Sequence, residues 1–557
     1  MPLVYSFHLV FILLLSFIQC PLGFAAPLPS FTLDRVTPVQ SFTQPAPTLN
    51  WQVSIGGSYT DKASAIAAFT DSTYVVVGST SSTNGDMATD PLAGKVQSAA
   101  WVSKLNKQGN KVWFKSYALF PNNLYSYHSA LSVATLSSGG CVVAAEAISS
   151  AADQKRSPWV FKLDANGGKV WEKTFNASSS LEYSSQTVTV DKEGNYVVAG
   201  WVKKPGNAGF GLYDVWVIKL DPTGNLIWEK TFGGSSNEQP SSIISLPEGG
   251  YVIAGYTASQ DGDVTPTYEG FNCWIVKIDT NGNKVWQKTY GGSYDDRAMS
   301  IARTSDGNFV VAGYTSSGDG DVKGYHGTTP PVYGNTFFGF HDFWVLKLDK
   351  DGKLIWQKAL GGFNDDVSAS VSVTAQDEYV VAGSIESADG DVTGYHPPAD
   401  AYVRRTDYWV IKMSSSGTLI WQKALGGSKG EDAAAVLSTI DGGCIVVGAA
   451  ESANGDVAIN RGYTDAWIVR LNGPAKLACT SVTTGSWNVA STWSCGRLPT
   501  ALDDVIIQPE HTALLDSGMT EAVCRNLEIL GTFSMQGSSI LINGTRITID
   551  QESVLTK

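Results

Sequence analysis

Residues 344–356 read Trp-Val-Leu-Lys-Leu-Asp-Lys-Asp-Gly-Lys-Leu-Ile-Trp. Apolar and polar residues alternate at period two on either side of an Asp-Gly pair, which predicts strand, tight turn, strand. The same twelve-residue interval between tryptophans recurs at Trp101/Trp113, Trp159/Trp171, Trp216/Trp228, Trp274/Trp286 and Trp409/Trp421. Each phrase keeps a turn glycine: Gly109, Gly167, Gly224, Gly282, Gly352 or Gly417. Most units then run into Gly-Gly, as at Gly291-Gly292 and Gly361-Gly362. A strand of small and apolar residues follows, then a turn, then a run such as Phe309-Val310-Val311-Ala312-Gly313. One unit is therefore four antiparallel strands, A (298–304), B (308–315), C (342–349) and D (353–360) in the fifth copy. Four-stranded sheets repeated every roughly 52–70 residues are propeller blades.

The count closes on itself. Trp467 lies in a seventh C strand, Asp465-Ala-Trp-Ile-Val-Arg-Leu471, with no Trp twelve residues on. Trp51 opens an orphan D strand, Trp51-Gln-Val-Ser-Ile-Gly-Gly57, with no C strand before it. Joining the two completes a seventh blade and removes an exposed sheet edge. The prediction is all-β: a seven-bladed β-propeller over 49–473, closed by the N-terminal strand. Fourteen of the seventeen tryptophans sit at repeat positions, which makes them packing residues first. The strand C cations Lys104, Lys162, Lys219, Lys277, Lys347, Lys412 and Arg470 read the same way, with stems buried or heads paired.

The chain has 557 residues, 43% hydrophobic and 16% charged, too apolar for a disordered protein. Its net charge is -13 and it has no Lys/Arg run, which argues against nucleic acid as a partner. Residues 1–26 read as a secretory signal. The apolar run at 9–18 is too short to span a membrane, and Gly23-Phe24-Ala25 suits cleavage before Ala26. Gln19 before Cys20 speaks against lipidation. The prolines of 27–48 predict an extended linker. No later run reaches membrane-spanning length. The expectation is a secreted or cell-surface monomer.

Residues 474–557 abandon the repeat. Short strand-like runs at 512–515, 526–530, 539–542 and 546–549 predict a small β module, β-helix-like or a β-sandwich. A solenoid ending at Lys557 would leave an uncapped end, so truncation is the expectation there. Cys479, Cys495 and Cys524 offer one disulfide of undetermined pairing, whereas Cys141 and Cys444 occupy equivalent core positions.

In a blade the B–C and D–A connections emerge on one face. The B–C loops vary most in length, and loops on a rigid scaffold carry function. The longest, in blade 5, contains Tyr325, His326, Tyr333, Phe337, Phe338 and Phe340. The loop of blade 6 contains Tyr395, His396, Tyr402, Arg404 and Arg405. Tyr325, His326, Phe338, Tyr395, His396 and Arg404 are the candidate ligand-binding residues. These loops open with Asp261-Gly-Asp263, Asp319-Gly-Asp321 and Asp389-Gly-Asp391, and Asn84-Gly-Asp86 and Asn454-Gly-Asp456 are variants. Asp261, Asp263, Asp319, Asp321, Asp389 and Asp391 supply oxygens at a spacing that calcium can use. Asp-Gly is equally a turn former. Calcium is the only cofactor suggested. No nucleophile, base and orienting group stand together in one blade, so no catalytic residue is assigned.

The phrase Lys-Leu-Asp-x-x-Gly-x-x-x-Trp resembles the repeats of quinoprotein-type propellers. The chain lacks the adjacent cysteines of the quinone-dependent dehydrogenases, so their chemistry is not implied. Gly-Gly-Ser-Tyr-Asp-Asp (291–296), Ser-Asp-Gly-Asn-Phe-Val-Val-Ala-Gly-Tyr-Thr (305–315) and Gly-Asp-Val-Thr-Gly-Tyr-His (390–396) resemble large secreted repeat proteins of Bacteroidota of the kind associated with type IX secretion. That resemblance implies a propeller and an exported chain. The functional expectation is an extracellular, non-enzymatic binding or adhesion scaffold for a glycan or a surface protein. The alternatives are a carbohydrate-active enzyme using the same face and a structural cell-surface spacer.

Overall fold

A computed structural model describes the chain from residue 42 onward, apart from 43, 150–155, 176–180, 204–212, 266–267, 328–339, 398–404, 474–477, 497, 501–502 and short stretches after 515. The expected signal (1–26), and most of the expected linker, lie outside the described residues. Seven four-stranded antiparallel sheets form the seven blades. Blade 5 shows the pattern: A is Asp296–Arg303, B is Phe309–Thr315, C is Asp342–Leu348 and D is Leu354–Leu360. Strand A carries a bulge between Ala298 and Ser300, and the same offset recurs in every blade, for example at Ala63/Ala65 and Ala433/Ala435.

Blade 7 consists of Glu431–Ser438, Cys444–Ala450, Asp465–Leu471 and, as its fourth strand, Leu49–Ile55. The closing register runs from Leu49 opposite Leu471 to Ile55 opposite Ala466. This join reproduces a contact made inside five of the other six blades, whereas in blade 1 the Trp101 indole donates to the Ser79 carbonyl. The strand C indole N–H donates to the residue after the strand D tryptophan: Trp274 to Gln287, Trp344 to Gln357, Trp409 to Gln422. In blade 7 the partners are Trp467 and Gln52, 2.9 Å apart in space and 415 residues apart in sequence. The pairing satisfies a buried donor that would otherwise cost its full desolvation.

The strand D tryptophans do a second job, between blades. Trp51, Trp113, Trp171, Trp228, Trp286 and Trp356 lie against the C–D turn glycines of the next blade, Gly109, Gly167, Gly224, Gly282, Gly352 and Gly417. These glycines have φ between +73° and +85°, and a Cβ on any of them would meet the ring at 2.6–3.1 Å. Both the turn and the packing therefore require glycine. On this same face the strand C cations are paired or packed. Lys219 meets Asp191, Lys412 meets Glu378, Arg470 meets Asp441, and the Lys347 ammonium lies over the Tyr379 ring.

After the propeller most pairing is parallel, and among the described residues two strand pairs are antiparallel, Thr532–Met535 with Ser553–Thr556 and Ser539–Ile542 with Thr545–Thr548. Ala478–Thr480, Asp504–Ile507 and Asn526–Ile529 form one ladder, and Gly485–Ser486, Thr512–Leu515 and Thr532–Met535 a second. Glu521–Cys524 pairs in parallel with Ser539–Ile542 in a third. The parallel ladders are the feature a β-helix-like module has and an antiparallel sandwich lacks. The core of this segment gathers Trp487, Trp493, Val505, Leu515 and Phe533 around a Cys479–Cys495 disulfide, and Cys524 is buried and free.

Deleting residues 49–57 removes strand D of blade 7 and exposes the edge of strand C. The thermal midpoint is expected to fall further than for Trp467→Ala, which itself costs about 3–5 kcal/mol as a buried aromatic truncation. An unchanged melt of the deletion would contradict ring closure.

Candidate functional site

The face formed by the B–C and D–A connections is assembled from one repeated clasp. In blade 5 the Gly291-Gly292 turn enters strand A, and the Asp319-Gly320-Asp321 turn leaves strand B. The Ser293 amide donates to Asp319 Oδ1 at 2.8 Å, and the Gly291 amide donates to Asp321 Oδ2 at 3.2 Å. The Asp321 amide donates back to the Gly291 carbonyl at 2.8 Å. Gly320 has φ +62°, and a Cβ there would meet the Gly291 carbonyl at 2.4 Å. The two turns therefore stack backbone on backbone.

The clasp recurs through Asp261 on the Ser235 amide and Asp263 on the Gly233 amide, and through Asp389 on the Phe363 amide. Asn84 and Asn454 fill the first position equally well, because the role is to accept from an amide. Asp391 adds a contact of 3.5 Å from its Oδ2 to His326 Nε2. The six candidate calcium ligands thus divide into three separate clasps, and their oxygens accept from the backbone. Among the described residues no group of three or more His, Cys, Asp or Glu side chains gathers around a common point.

The candidate ligand-binding residues turn out to hold loops. Tyr325 Oη donates to the Phe340 carbonyl at 2.6 Å, and Tyr395 Oη to the Arg405 carbonyl at 2.7 Å. The His326 amide and Nδ1 both meet Asp342 Oδ2 at 2.8 Å, and His396 meets Asp407 Oδ2 in the same way. In blade 7 the equivalent contact is the Arg461 amide on Asp465 Oδ2 at 3.0 Å. In all three blades the strand C carboxylate thus fastens the B–C loop through a backbone amide. Phe338 and Arg404 lie outside the described residues.

Sequence patterning missed the buried carboxyl pairs beneath this face. Each first glycine of a Gly-Gly turn lies between a strand C side chain of one blade and a strand A side chain of the next. The pairs are Asp465/Asp61 at Gly56, Asp214/Glu238 at Gly233, Asn272/Asp296 at Gly291, Asp342/Asp366 at Gly361 and Asp407/Glu431 at Gly426. Asp61, Asp296, Asp342, Asp366, Glu431 and Asp465 are fully buried. Burial pushes Asp296 and Asp366 up to about 7 and Asp465 up to about 6, and it raises Asp61, Asp342, Asp407 and Glu431 as well. Hydroxyl and amide donors offset part of this cost: Asp296 accepts from Ser317 at 2.8 Å and Gly292 at 2.7 Å. Asn272 Oδ1, Asp342 Oδ1 and Asp465 Oδ1 are buried without a donor.

A shallow depression of about 720 Å³ opens on the same face where blades 6, 7 and 1 meet. Arg405, Lys429, Glu451, Tyr463, Thr60 and Thr464 line it. Beside it Tyr59 and Tyr463 stand with ring centroids 6.5 Å apart. The signal that could have found Lys429 and Tyr59 is positional. They occupy equivalent places two residues after Gly-Gly, where other blades carry Ser236, Tyr294 and Asn364.

No family model matches the chain. Over 243 residues it is 26% identical to the regulatory protein FlaEY of Caulobacter vibrioides, a match covering 40% of this chain and 24% of that protein. Over 171 residues it is 26% identical to an uncharacterised WD repeat-containing protein of Acanthamoeba polyphaga mimivirus, covering 31% and 11%. The chain thus spans about a quarter or less of the length of these curated relatives. Among solved structures it is similar to the WD40 domain of Neurospora crassa Pan2, with a TM-score of 0.42, 11% identity, and coverage of 78% of this chain and 97% of that one. It is also similar to a Dyadobacter fermentans protein of unknown function, with a TM-score of 0.38, 9% identity, and coverage of 77% and 99%. The propeller itself rests on this chain's own strand pairing, and nothing about ligand or chemistry follows from these likenesses.

Two outcomes test the clasp and the pairs. Gly361→Ala would set a methyl 2.7 Å from both Asp342 Oδ1 and Asp366 Oδ2, and is expected to destabilise by about 1–3 kcal/mol as an overpacked site. Acids whose folded pKa is raised bind protons more tightly in the folded chain. Their stabilisation is complete below about pH 4, the unfolded value, and is lost as pH rises through the folded values near 6 and 7. The melting temperature should therefore fall between pH 5 and pH 8, and Asp366→Asn should flatten that fall.

Proposed function

We propose that the chain is an extracellular binding scaffold that presents the B–C/D–A face of its propeller to a glycan or a cell-surface protein. The observation that carries this reading is the depression of about 720 Å³ set into a face whose backbone is fixed by repeated clasps. Rigid turns lower the ordering cost of binding, and the depression offers a ligand a concave seat among polar groups. The Cys479–Cys495 disulfide supports an oxidising compartment, as does the signal-like segment at 1–26. Among the described residues no helix is long and apolar enough to cross a membrane. Catalysis draws no support from the histidines, whose carboxylate contacts are repeated latches.

The test is co-sedimentation of the chain with insoluble polysaccharides and with cell envelopes, with calcium or with chelator. Depletion of protein without release of sugar is expected, and chelator should leave it unchanged. Released sugar would replace this reading with an enzymatic one. Failure to bind any polysaccharide or envelope would favour a spacer.

A further inference from the structure

Several cations on the B–C/D–A face are paired. Lys284 meets Asp263 at 2.6 Å, Arg297 meets Asp295 at 2.9 Å, and Arg461 lies between Asp86 and Asp465 at 3.5 and 3.6 Å. In a chain of net charge -13 that is the expected outcome. Arg405 and Lys429 are not so paired, and unlike Lys95 and Lys323 they stand together at one depression. Both line the depression between blades 6, 7 and 1, and neither makes an ion pair among the described residues. Against these two cations the lining sets a single carboxylate, Glu451.

Next to the cations are flat, exposed aromatic surfaces. Tyr59 is 52% exposed and Tyr463 is 72% exposed, and their rings are tilted by 31° to one another. The two rings lie close enough to offer one continuous apolar surface. A tyrosine ring offers an apolar face and a polar tip. The remaining lining, Ser58, Thr60 and Thr464, is rich in hydroxyls.

The backbones beneath these groups are held in place. The Tyr59 amide donates to Ser82 Oγ at 3.0 Å, and the Lys429 amide to Ser452 Oγ at 2.8 Å. The Arg405 carbonyl accepts from Tyr395 at 2.7 Å, and the Glu451 amide donates to the Gly430 carbonyl at 2.9 Å. The backbone of the site is therefore held, which reduces the part of the entropy loss that loop ordering would add on binding.

We propose that this depression binds an anionic saccharide. The C–H face of a sugar ring stacks on Tyr463 and Tyr59, its carboxylate or sulfate meets Arg405 and Lys429, and its hydroxyls meet Glu451, Thr60 and Thr464. A guanidinium presents paired donors that match an oxyanion, and an ammonium adds a mobile point charge. A protein partner would want a broader apolar centre than this polar hollow supplies. The proposal deepens the binding reading of the face and rests on it.

The test is calorimetric titration of the intact chain with trigalacturonic acid, a sulfated chondroitin disaccharide, neutral maltotriose and an acidic phosphopeptide. At least one acidic saccharide should bind tenfold or more tightly than maltotriose, and added salt should weaken it. Lys429→Gln and Tyr463→Ala alter exposed side chains, so the melt should stay unchanged while each weakens acidic-saccharide binding tenfold or more. Equal affinity for the neutral sugar, indifference to both substitutions, no binding of either acidic saccharide, or tighter binding of the phosphopeptide would each overturn the proposal. Co-sedimentation that persists in both variants would end this proposal and leave the binding reading of the face standing.

Discussion

The ring exists because its last blade borrows its outer strand from the start of the chain. Asp465–Leu471 would otherwise present a row of unpaired backbone groups to water. Leu49–Ile55 covers that row and brings Gln52 to the Trp467 indole. Trp51, on the same strand, lies on Gly109 of blade 1 and ties the borrowed strand to the next sheet. Blades 2 to 6 make the Gln52–Trp467 type of contact within one stretch of chain, through Glu172, Glu229, Gln287, Gln357 and Gln422.

Beneath the B–C/D–A face the protein accepts a cost that most interiors avoid. Carboxyl groups are buried in facing pairs, and their raised proton affinity follows from desolvation before any mutual repulsion. What these groups supply in return is order. The strand A acid of each pair holds an amide of the glycine turn that enters its blade, as Asp366 holds Gly362 and Glu431 holds Gly427. The strand C acids Asp342, Asp407 and Asp465 hold the amides of His326, His396 and Arg461. The glycines are fixed by the oxygens beside them as much as by backbone torsion. Gly361 and Gly426 have ordinary φ values, yet neither has room for a side chain.

Much of this architecture is legible in the sequence because the tryptophan phrase spans two strands that pair with each other. The alternation, the turn glycine and the fixed interval all lie within thirteen residues, and ring closure follows from counting. The roles of Asp-Gly-Asp and Gly-Tyr-His are harder to read. An acidic turn that accepts from a glycine turn some thirty residues away looks like a metal loop until the partner is seen. Tyr325 and His326 look like exposed binding residues for the same reason, since Phe340 and Asp342 meet them only after the loop folds back. The buried pairs are harder still, because each joins strands of two different blades. Tyr59 and Lys429 escape notice because repeat patterning draws attention to what is constant, whereas they occupy a position that varies.

The closing seam also sets how the propeller responds to tension. Leu49 lies opposite Leu471, and the Asn472 amide meets the Thr48 carbonyl at 2.9 Å, so the chain enters and leaves blade 7 side by side. A pull between the N-terminal segment and the C-terminal β module acts at one end of an antiparallel pair. The load falls on one hydrogen bond at a time instead of on the whole ladder together. A molecule held at both ends would peel open from this seam, strand by strand, before any other blade bore force.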